Sequence, residues 1–336
     1  MNLLDKLLKD EKKIDLELYS SGTYWLYKNA KSLIELKKKG MSDFRGYNNG
    51  TGTSYADNLG YDIRNELGRK GRIVSKLFSL PFLIKIFNAQ LKQTKQYLEA
   101  YIKTKSILYS NNDRVKNLIN KYKYENTTDF DCIQKFTYKK KDYSFLYLEV
   151  ANRIEILSSN FNFHNLKSFF EIGGGFGANI HFLITNFPNI KKIIYLDTVP
   201  NLYVGTEYLK SYYGKKVITY LNTREMTEIK FANNDDLEII CIPPWQIEKL
   251  QVSIDHFHNA ASFVEMPKKI IKNYCKFIKR FNTKEISLVS YAEFDERTLN
   301  PNELNEFFEN RLIKSSHNSL IEGYNSKDIY FCSKKS

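Results

Sequence analysis

The fold class of this 336-residue chain is decided by the stretch Phe169-Phe170-Glu171-Ile172-Gly173-Gly174-Gly175-Phe176-Gly177. Its apolar first half predicts a buried strand, its glycines a tight turn, and the residues from Ala178 onward a helix. Glycine has no Cβ and tolerates positive φ, so such a turn allows the backbone to approach a ligand closely. The stretch therefore predicts the first strand and helix of a Rossmann-like α/β domain, with a ligand at the turn.

The carboxylate of Glu171 narrows the kind of ligand. Placed two residues before the first glycine, it would repel a pyrophosphate but could anchor a positively charged ligand or a loop amide. S-adenosylmethionine carries an ammonium and a sulfonium and has no phosphate. The turn therefore favours a class I methyltransferase, with cofactor contacts expected at Glu171, Gly173, Gly174 and Gly175.

A second interpretation stays open, because Gly173-x-Gly175-x-x-Ala178 also satisfies the dinucleotide fingerprint. Asp197 follows the apolar residues 193–196 at about the distance that one βαβ unit requires. It does not separate the two classes, since both place an acid there to hold ribose hydroxyls. Glu171 and the position of the motif behind a long helical segment favour the methyl donor. An NAD(P)-binding oxidoreductase and a tight turn without a ligand remain alternatives.

The order of predicted elements divides the chain into two domains. Residues 1–140 are predicted to be mainly helical and to form an acceptor lid or an oligomerisation surface. Residues 141–336 are predicted to form the methyltransferase domain, because strands and helices alternate from residue 168 onward. Seven strands fit the sheet of class I methyltransferases, with the last one at an edge: 168–172, 192–196, 217–221, 238–242, 255–259, 286–291 and 328–332.

A glycine- and asparagine-rich loop interrupts the helical segment at residues 40–52. Loops often carry binding groups on a rigid scaffold. We expect this loop to close over a polar acceptor, which Asp43, Arg45 and Tyr47 would face. The alternative is a connector without a binding role.

Composition limits the partners that the chain is expected to have. The net charge is +13, but acids are interleaved with the lysines, as in Lys9-Asp10-Glu11-Lys12. Scattered charge is typical of solvated helix faces, so we expect no nucleic-acid partner, while attraction to an anionic glycan, a nucleotide-sugar or a membrane surface stays open. The four cysteines show no metal-ligand spacing. The N-terminus lacks a signal-peptide core and no apolar stretch is long enough to span a bilayer, so a cytoplasmic protein is expected.

The residues Ile242-Pro243-Pro244-Trp245 follow another apolar strand and resemble the Asp/Asn-Pro-Pro-aromatic motif of amino-methylating DNA enzymes. In that motif the first residue accepts a hydrogen bond from the exocyclic amine, and the aromatic residue stacks on the extruded base. Ile242 can accept no hydrogen bond, so a nucleic-acid methyltransferase is retained only as an alternative. Pro243 and Trp245 are instead predicted to wall the adenine of the cofactor. A rigid strand exit with Trp245 in the core is an equal interpretation.

A polar cluster at residues 255–266 supplies the candidate catalytic groups. His256 and His258 would project to the same face of a strand, and histidine has a suitable pKa for the base that accepts a hydroxyl proton. Glu265 is the third candidate for that role. Asn259, Ser262 and Glu265 are predicted to orient acceptor hydroxyls or the amino-acid end of the methyl donor. A buried, hydrogen-bonded histidine is the alternative, and no carboxylate cluster has magnesium spacing, so no metal is expected.

Several segments resemble a sugar O-methyltransferase family of bacterial surface-glycan gene clusters. The most specific is Asn259-Ala260-Ala261-Ser262-Phe263-Val264-Glu265-Met266, and further similar segments cover residues 147–154, 171–177, 195–200 and 207–209. The similarity extends roughly over residues 140–295. This chain departs from the family where Asp-Leu-Pro-Glu is often found, because it has Asp197-Thr198-Val199-Pro200-Asn201 and lacks the second acid.

The resemblance implies adenosylmethionine as the cofactor. It implies a sugar hydroxyl or a sugar-linked phosphate group as the acceptor, in capsule or lipopolysaccharide biosynthesis. It also implies that ribose contacts rest on Asp197, next to Thr198, without a second acid. The helical N-terminal segment would then supply the lid over the acceptor, and homo-oligomerisation stays open.

Overall fold

The computed structural model describes residues 2–14, 16–20, 22, 25, 29–30, 33, 36–37, 40–42, 44–46, 99–100, 102–292, 299–320 and 327–334. Asp43 and Tyr47, predicted to face the acceptor, lie outside the described residues. Most of the predicted loop at residues 40–52 lies outside them as well.

Short helices and one hairpin precede the main sheet. In chain order the labelled elements are α1 (Leu3–Glu11), α2 (Leu16–Tyr19), α3 (Asp113–Lys121), β1 (Lys135–Tyr138), β2 (Lys141–Ser144) and α4 (Phe145–Leu157). Residues 102–111 are also helical. The α1 helix begins after Asn2, whose side chain accepts a hydrogen bond from the Asp5 N–H and so caps the first turn. β1 and β2 pair antiparallel, so α4 begins directly at the end of a hairpin.

Strands and helices then alternate to build the central sheet. Its elements are β3 (Ser168–Ile172), α5 (Ala178–Asn186), β4 (Lys192–Leu196), α6 (Val199–Tyr213), β5 (Val217–Ile218), α7 (Tyr220–Thr223), β6 (Glu238–Ile242), β7 (His256–Ala260), α8 (Lys268–Arg280), β8 (Glu285–Tyr291), β9 (Ile313–Asn318) and β10 (Lys327–Lys334). The strand order across the sheet is β5-β6-β4-β3-β7-β8-β10-β9. The strands from β5 to β8 pair in parallel, and β10 pairs antiparallel with both β8 and β9. The predicted Rossmann-like α/β class is confirmed.

The strand order places a ligand crevice beside β3. The chain moves from β3 outward to β4, and later returns to the other side of β3 as β7. In open α/β sheets, ligands bind outside the carboxyl ends of the strands where the order reverses in this way. The glycine turn follows β3 directly, so it lies at that crevice.

The sheet separates two hydrophobic cores. Phe169 and Ile193 face the core beneath α4, α5 and α6, while Phe170 and Ile194 face the core beneath α8. β3, β4 and β6 are therefore apolar on both faces, as is typical of a parallel sheet covered by helices on both sides. α1 packs on α6, and its buried leucines join the first core. The predicted domain boundary near residue 140 stays a prediction.

Among the residues that the structure describes, the sheet has eight strands, one more than the seven predicted. The additional strand is β9, whose polar sequence Ile-Lys-Ser-Ser-His-Asn is largely exposed and carries little apolar signal. Because β9 occupies the edge, β10 is an internal strand rather than the predicted edge strand. The predicted strand at 217–221 ends at Ile218, since Thr219 and Asn222 form a capping box that starts α7. Within the described ranges, no helix is long and apolar enough to cross a membrane.

Candidate functional site

The glycine turn after β3 has a backbone that only glycine accommodates well. Gly173, Gly175 and Gly177 have φ values of 75°, 60° and 88°. A Cβ built on Gly173 would lie 2.5 Å from Ser262 Cβ and closer still to its Oγ. A Cβ on Gly174 would lie 2.7 Å from a carboxylate oxygen of Glu171. The predicted turn therefore presses closely on two other predicted site residues.

Asp197 holds the turn from the carboxyl end of β4. Its Oδ2 accepts a hydrogen bond from the Gly175 N–H at 2.9 Å, and its Oδ1 accepts one from the Thr198 N–H at 2.7 Å. Burial raises the pKa of this carboxyl to about 7, although both hydrogen bonds act in the opposite direction. Three residues predicted as cofactor contacts thus meet at one place.

Glu171 lies beneath the same turn, and one of its two carboxylate oxygens has no described hydrogen-bond partner. Its Oε1 accepts from Asn179 Nδ2 at 2.9 Å, while its Oε2 has no partner among the residues that the structure describes. The side-chain Oδ1 of Asn179 is likewise buried without a described donor. Burial raises the pKa of Glu171 to about 7. A buried carboxylate in this state is costly, and a cationic group placed beside it would lower that cost.

Asn259 and Ser262 brace the turn from the carboxyl end of β7. Asn259 Nδ2 donates to the Ile172 carbonyl at 2.8 Å and to Ser262 Oγ at 2.6 Å, and its Oδ1 accepts from the Phe263 N–H at 3.1 Å. Ala261, between them, has a φ of 64°, a conformation that is strained for a residue with a Cβ. The structure gives these two predicted cofactor contacts internal partners, so they position the turn.

Pro243 and Trp245 lie at the same edge, at the carboxyl end of β6. Pro243 is buried and Trp245 is half-buried, with its ring 6.0 Å from the Tyr220 ring in a T-shaped contact. β6 pairs with β4 so that Ile242 lies opposite Leu196, the residue before Asp197. The predicted adenine wall is therefore next to the predicted ribose ligand, while Ile242 itself is fully buried.

Glu265, the third candidate base, is bonded to the N-terminal segment. Its Oε2 accepts a hydrogen bond from Trp25 Nε1 at 2.9 Å, and both side chains are buried. Gly22 lies in the same segment, and a Cβ there would meet Pro267 Cδ at 2.7 Å. The N-terminal helices thus contact the loop that follows β7.

The two histidines share one face of β7, as the alternation of side chains predicts, but occupy different positions. His256 is the first residue of β7, at the amino end, and packs against three core phenylalanine rings: Phe161, Phe163 and Phe169. That location corrects the expectation that both histidines lie at the ligand edge. His258 is two residues further along and pairs with Glu171 of β3.

A chain of hydrogen bonds connects the histidines across β8. Glu285 Oε2 lies 3.1 Å from His256 Nδ1, and Ser287 Oγ lies 2.7 Å from His256 Nε2 and 2.8 Å from His258 Nδ1. Burial lowers the pKa of His256 and holds the pKa of His258 well below its usual value. His258 Nε2 is buried and meets no hydrogen-bonding atom in the described part of the chain.

Arg45, predicted to face the acceptor, has internal hydrogen-bond partners in the structure. Its side chain is buried and donates to the carbonyls of Thr127 and Asp129 and to Ser144 Oγ. The guanidinium also lies 5.2 Å from the ring centroid of Phe176, within the glycine turn. Arg45, predicted as an acceptor ligand, therefore joins the start of the chain to the hairpin and to the turn.

The sequence interpretation missed Asn179, Ser287, Glu285 and Trp25. Asn179 had a usable signal, since it is a polar residue in the first turn of the helix that directly follows the glycine turn. The other three act through partners distant in sequence, which no local pattern reveals. Among the residues that can be described, no group of three or more His, Cys, Asp or Glu could hold a metal ion.

Comparison with known proteins gives similarity at the level of structure. No protein-family model matches the chain, and no curated protein is significantly similar to it. Magnesium protoporphyrin IX methyltransferase from Synechocystis PCC 6803 is 9% identical, with 56% of this chain and 79% of that chain covered and a TM-score of 0.37. The mitomycin 7-O-methyltransferase MmcR is 14% identical, with 56% of each chain covered and a TM-score of 0.34. The N-terminal domain of EvdMO1, solved with SAH and D-fucose, is 14% identical, with 61% of this chain and 91% of that chain covered and a TM-score of 0.36.

Proposed function

We propose that this protein is an S-adenosylmethionine-dependent O-methyltransferase whose cofactor lies along the carboxyl ends of β3, β4 and β6. The observation that carries the proposal is the buried Glu171 carboxylate, which has one oxygen without a described partner beneath the glycine turn. An ammonium or a sulfonium would compensate this charge, whereas a pyrophosphate would be repelled by it. The site therefore favours adenosylmethionine over a dinucleotide.

The remaining residues of the crevice fit the same cofactor. Asp197 lies beside the glycine turn at the carboxyl end of β4, where its carboxylate would accept a hydrogen bond from a ribose hydroxyl. Trp245 and Pro243 offer an apolar wall for adenine at the adjacent strand end. Gly173 and Gly175 allow the backbone to approach the ligand closely.

The protein must also remove a proton from the acceptor. When bound, the cofactor supplies an electrophilic methyl group for an acceptor oxygen. His258 is our candidate for the base, because burial keeps it neutral and leaves Nε2 able to accept the hydroxyl proton. A lasting imidazolium is unfavourable at this buried position.

The hydrogen-bond chain offers a way to avoid that charge. As Nε2 of His258 takes up a proton, its Nδ1–H passes one to Ser287 Oγ. The Ser287 hydroxyl proton then moves to His256 Nε2, and the His256 Nδ1–H proton moves to the Glu285 carboxylate. Each group in the chain then ends neutral, and Glu285 keeps contact with solvent, to which it can release the proton. His256 would thus relay the proton that His258 accepts.

We extend the proposal to the acceptor and to the N-terminal segment. The resemblance over roughly residues 140–295 supports a sugar hydroxyl or a sugar-linked group of a bacterial surface glycan of the capsule or lipopolysaccharide type, with the enzyme in the cytoplasm. The bond from Trp25 to Glu265 supports a role for residues 1–140 as a cover over the loop after β7.

Calorimetric binding of adenosylmethionine and adenosylhomocysteine tests the proposal, with NAD as the competing ligand. We expect micromolar binding of both nucleosides and none of NAD. Glu171→Gln is the matched variant, since it keeps the shape and the Asn179 hydrogen bond but removes the charge, and it should weaken binding about tenfold or more. A preference for NAD, or no binding of either nucleoside by the folded wild type, would contradict the proposed function.

A further inference from the structure

A second polar cluster lies between α4 and β10. It consists of Glu149 and Arg153 on α4 and of Asp328 and Tyr330 on β10, and is termed here the α4–β10 cluster. No motif or spacing in the sequence assigns any of these four residues to a site. Glu149, Arg153 and Asp328 are partly exposed, whereas Tyr330 is buried.

Strand register places this cluster at the ligand edge of the sheet. Asp328 pairs with Tyr291, the last residue of β8, and Tyr330 pairs with Val289. Val289 in turn pairs with Ala260, two residues beyond His258 on the same face of β7. The β10 side of the cluster therefore lies above His258, toward the carboxyl ends of the strands.

The orientation of α4 brings its two charged residues over the same part of the sheet. After α4 the chain passes Phe161, whose ring contacts His256 at the amino end of β7. The first turns of α4 consequently lie toward the carboxyl edge, with Glu149 above Arg153. The Glu149 carboxylate accepts a hydrogen bond from the Tyr109 hydroxyl at 2.5 Å, which fixes it from the side of residues 102–111.

Arg153 lies within electrostatic range of both carboxylates of the cluster. The Arg153 cation lowers the pKa of Glu149, Glu171 and Asp328, so it lies within electrostatic range of all three, although burial raises each of these pKa values by more. Its Nε is buried and has no hydrogen-bond partner among the described side chains and backbone groups. A second buried atom without a described hydrogen-bond partner beneath α4 is Nε2 of His258, a residue that is 1% exposed. Arg153 Nε and His258 Nε2 therefore offer an unused donor and an unused acceptor beneath α4.

We propose that the α4–β10 cluster binds the ring of an uncharged sugar and presents one of its hydroxyls to His258. This inference rests on the proposed methyltransferase function and narrows its acceptor. Neighbouring hydroxyls of a sugar each donate and accept, so they can bridge Arg153 to the carboxylates that flank it. Arg153 has two carboxylates within electrostatic range, and although Lys105 is a second cation near Glu149, an anionic group placed at Arg153 would meet like charge there, which disfavours a phosphate or a uronic acid at this position.

Saturation-transfer NMR with simple glycosides tests the inference on the full chain. The probes are neutral methyl hexopyranosides and methyl 6-deoxyhexopyranosides, with methyl glucuronoside and glucose 6-phosphate as anionic counterparts, all in the presence of saturating adenosylhomocysteine. The variants are Glu149→Gln and Asp328→Asn, which preserve shape and, at position 149, the acceptor for Tyr109. Asp142→Asn is the control, because Asp142 forms a surface ion pair with Lys135 on the hairpin, outside the cluster.

We expect a neutral glycoside to bind the wild type and the Asp142→Asn control, and to bind each cluster variant at least fivefold more weakly. Adenosylhomocysteine affinity, measured by calorimetry on the same samples, should stay within twofold and so report intact folding. Unchanged glycoside binding in both cluster variants would overturn the inference, as would stronger binding of the anionic probes. Binding of adenosylhomocysteine with no saturation transfer to any glycoside would overturn it too, while leaving the methyl-donor proposal standing. If the folded wild type does not bind adenosylhomocysteine, the proposed function itself is refuted.

Discussion

The contact between Gly173 and Ser262 allows a quantitative test of how the glycine turn is built. The change is Gly173→Ala, which adds one methyl group where φ is 75°. The added Cβ would lie 2.5 Å from Ser262 Cβ and closer to Ser262 Oγ, a separation that real Cβ atoms do not adopt. Either the turn or the loop after β7 must therefore move.

The expected loss of stability has two parts. A left-handed backbone conformation costs a residue with a Cβ about 1–2 kcal/mol. Overpacking in a tightly filled site costs about 1–3 kcal/mol more. The free energy of unfolding should thus fall by about 2–5 kcal/mol in Gly173→Ala.

Two further variants separate the cost of the left-handed backbone from the cost of overpacking. Gly40 has a φ of 70°, and none of the described atoms lies within 4 Å of the position that a Cβ would occupy, so Gly40→Ala should show the backbone cost without overlap. Ser262→Gly removes the overlapping atoms and leaves Ser262 Cα 3.9 Å from the new Cβ, which is an ordinary contact. In that background Gly173→Ala should cost only the backbone part, about 1–2 kcal/mol.

Urea unfolding followed by tryptophan fluorescence measures these free energies for the wild type and the four variants, including the double variant. The double-mutant cycle should give a coupling energy of about 1–3 kcal/mol between positions 173 and 262. A coupling below about 0.5 kcal/mol would refute the argument, because it is within the additivity expected of independent sites. A neutral Gly173→Ala would also refute it, since the turn would then lack the conformation described.

Four further predictions concern charge and proton transfer. Because burial raises the pKa of Glu171 to about 7, the affinity for adenosylmethionine should rise from pH 6 to pH 8 as the carboxyl ionises. Calorimetry of Glu171→Gln should show a smaller slope, with the remainder due to Asp197, whose pKa is also about 7. For the unliganded protein the dependence has the opposite sign. A carboxyl whose pKa is raised on folding favours the folded state most fully below its unfolded pKa, near 4.5. The free energy of unfolding in urea should therefore decline as the pH rises from about 4.5 through 7, and should decline less in Glu171→Gln. Ser287→Ala should lower kcat about tenfold to a hundredfold with little change in the acceptor KM, because it interrupts the proton chain; an unchanged kcat would exclude the relay. Arg45→Lys should lower the free energy of unfolding by about 2–3 kcal/mol through lost charged hydrogen bonds, and a large rise in acceptor KM at unchanged stability would restore its predicted role in binding.

Much of the fold could be predicted because its signals are local. The apolar runs of β3, β4 and β6 are buried on both faces, and the glycine turn follows the first of them without interruption. The polar edge strand β9 carries no such signal, since its pairing with β10 depends on backbone hydrogen bonds rather than on an apolar face. Edge strands of this kind are recognised only when their partner is placed.

The roles of individual site residues were less predictable, because they depend on partners far along the chain. Arg45 looked like a binding residue in a polar loop, but Ser144, 99 residues away, supplies one of its acceptors. Asn259 and Ser262 come from the segment most specific to the resemblance, yet both hydrogen-bond to the Ile172 carbonyl. A residue type and its spacing indicate that a position matters, whereas only the packed structure distinguishes contact with a ligand from support of the turn that makes the contact.

The properties of Glu171 connect stability to the proposed function. Its carboxylate is buried, one oxygen lacks a described partner, and the aspartate at the end of the neighbouring strand shares the same raised pKa of about 7. Ionising both of these neighbouring carboxyls is unfavourable, and a cation in the crevice would stabilise the ionised form of each. Unsatisfied groups of this kind are expected at a binding site, where the ligand supplies what the chain leaves out, and not in a purely structural turn. The same reasoning applies to His258 Nε2 and Arg153 Nε beneath α4, so buried atoms without a described partner occur at both the proposed cofactor crevice and the proposed acceptor site.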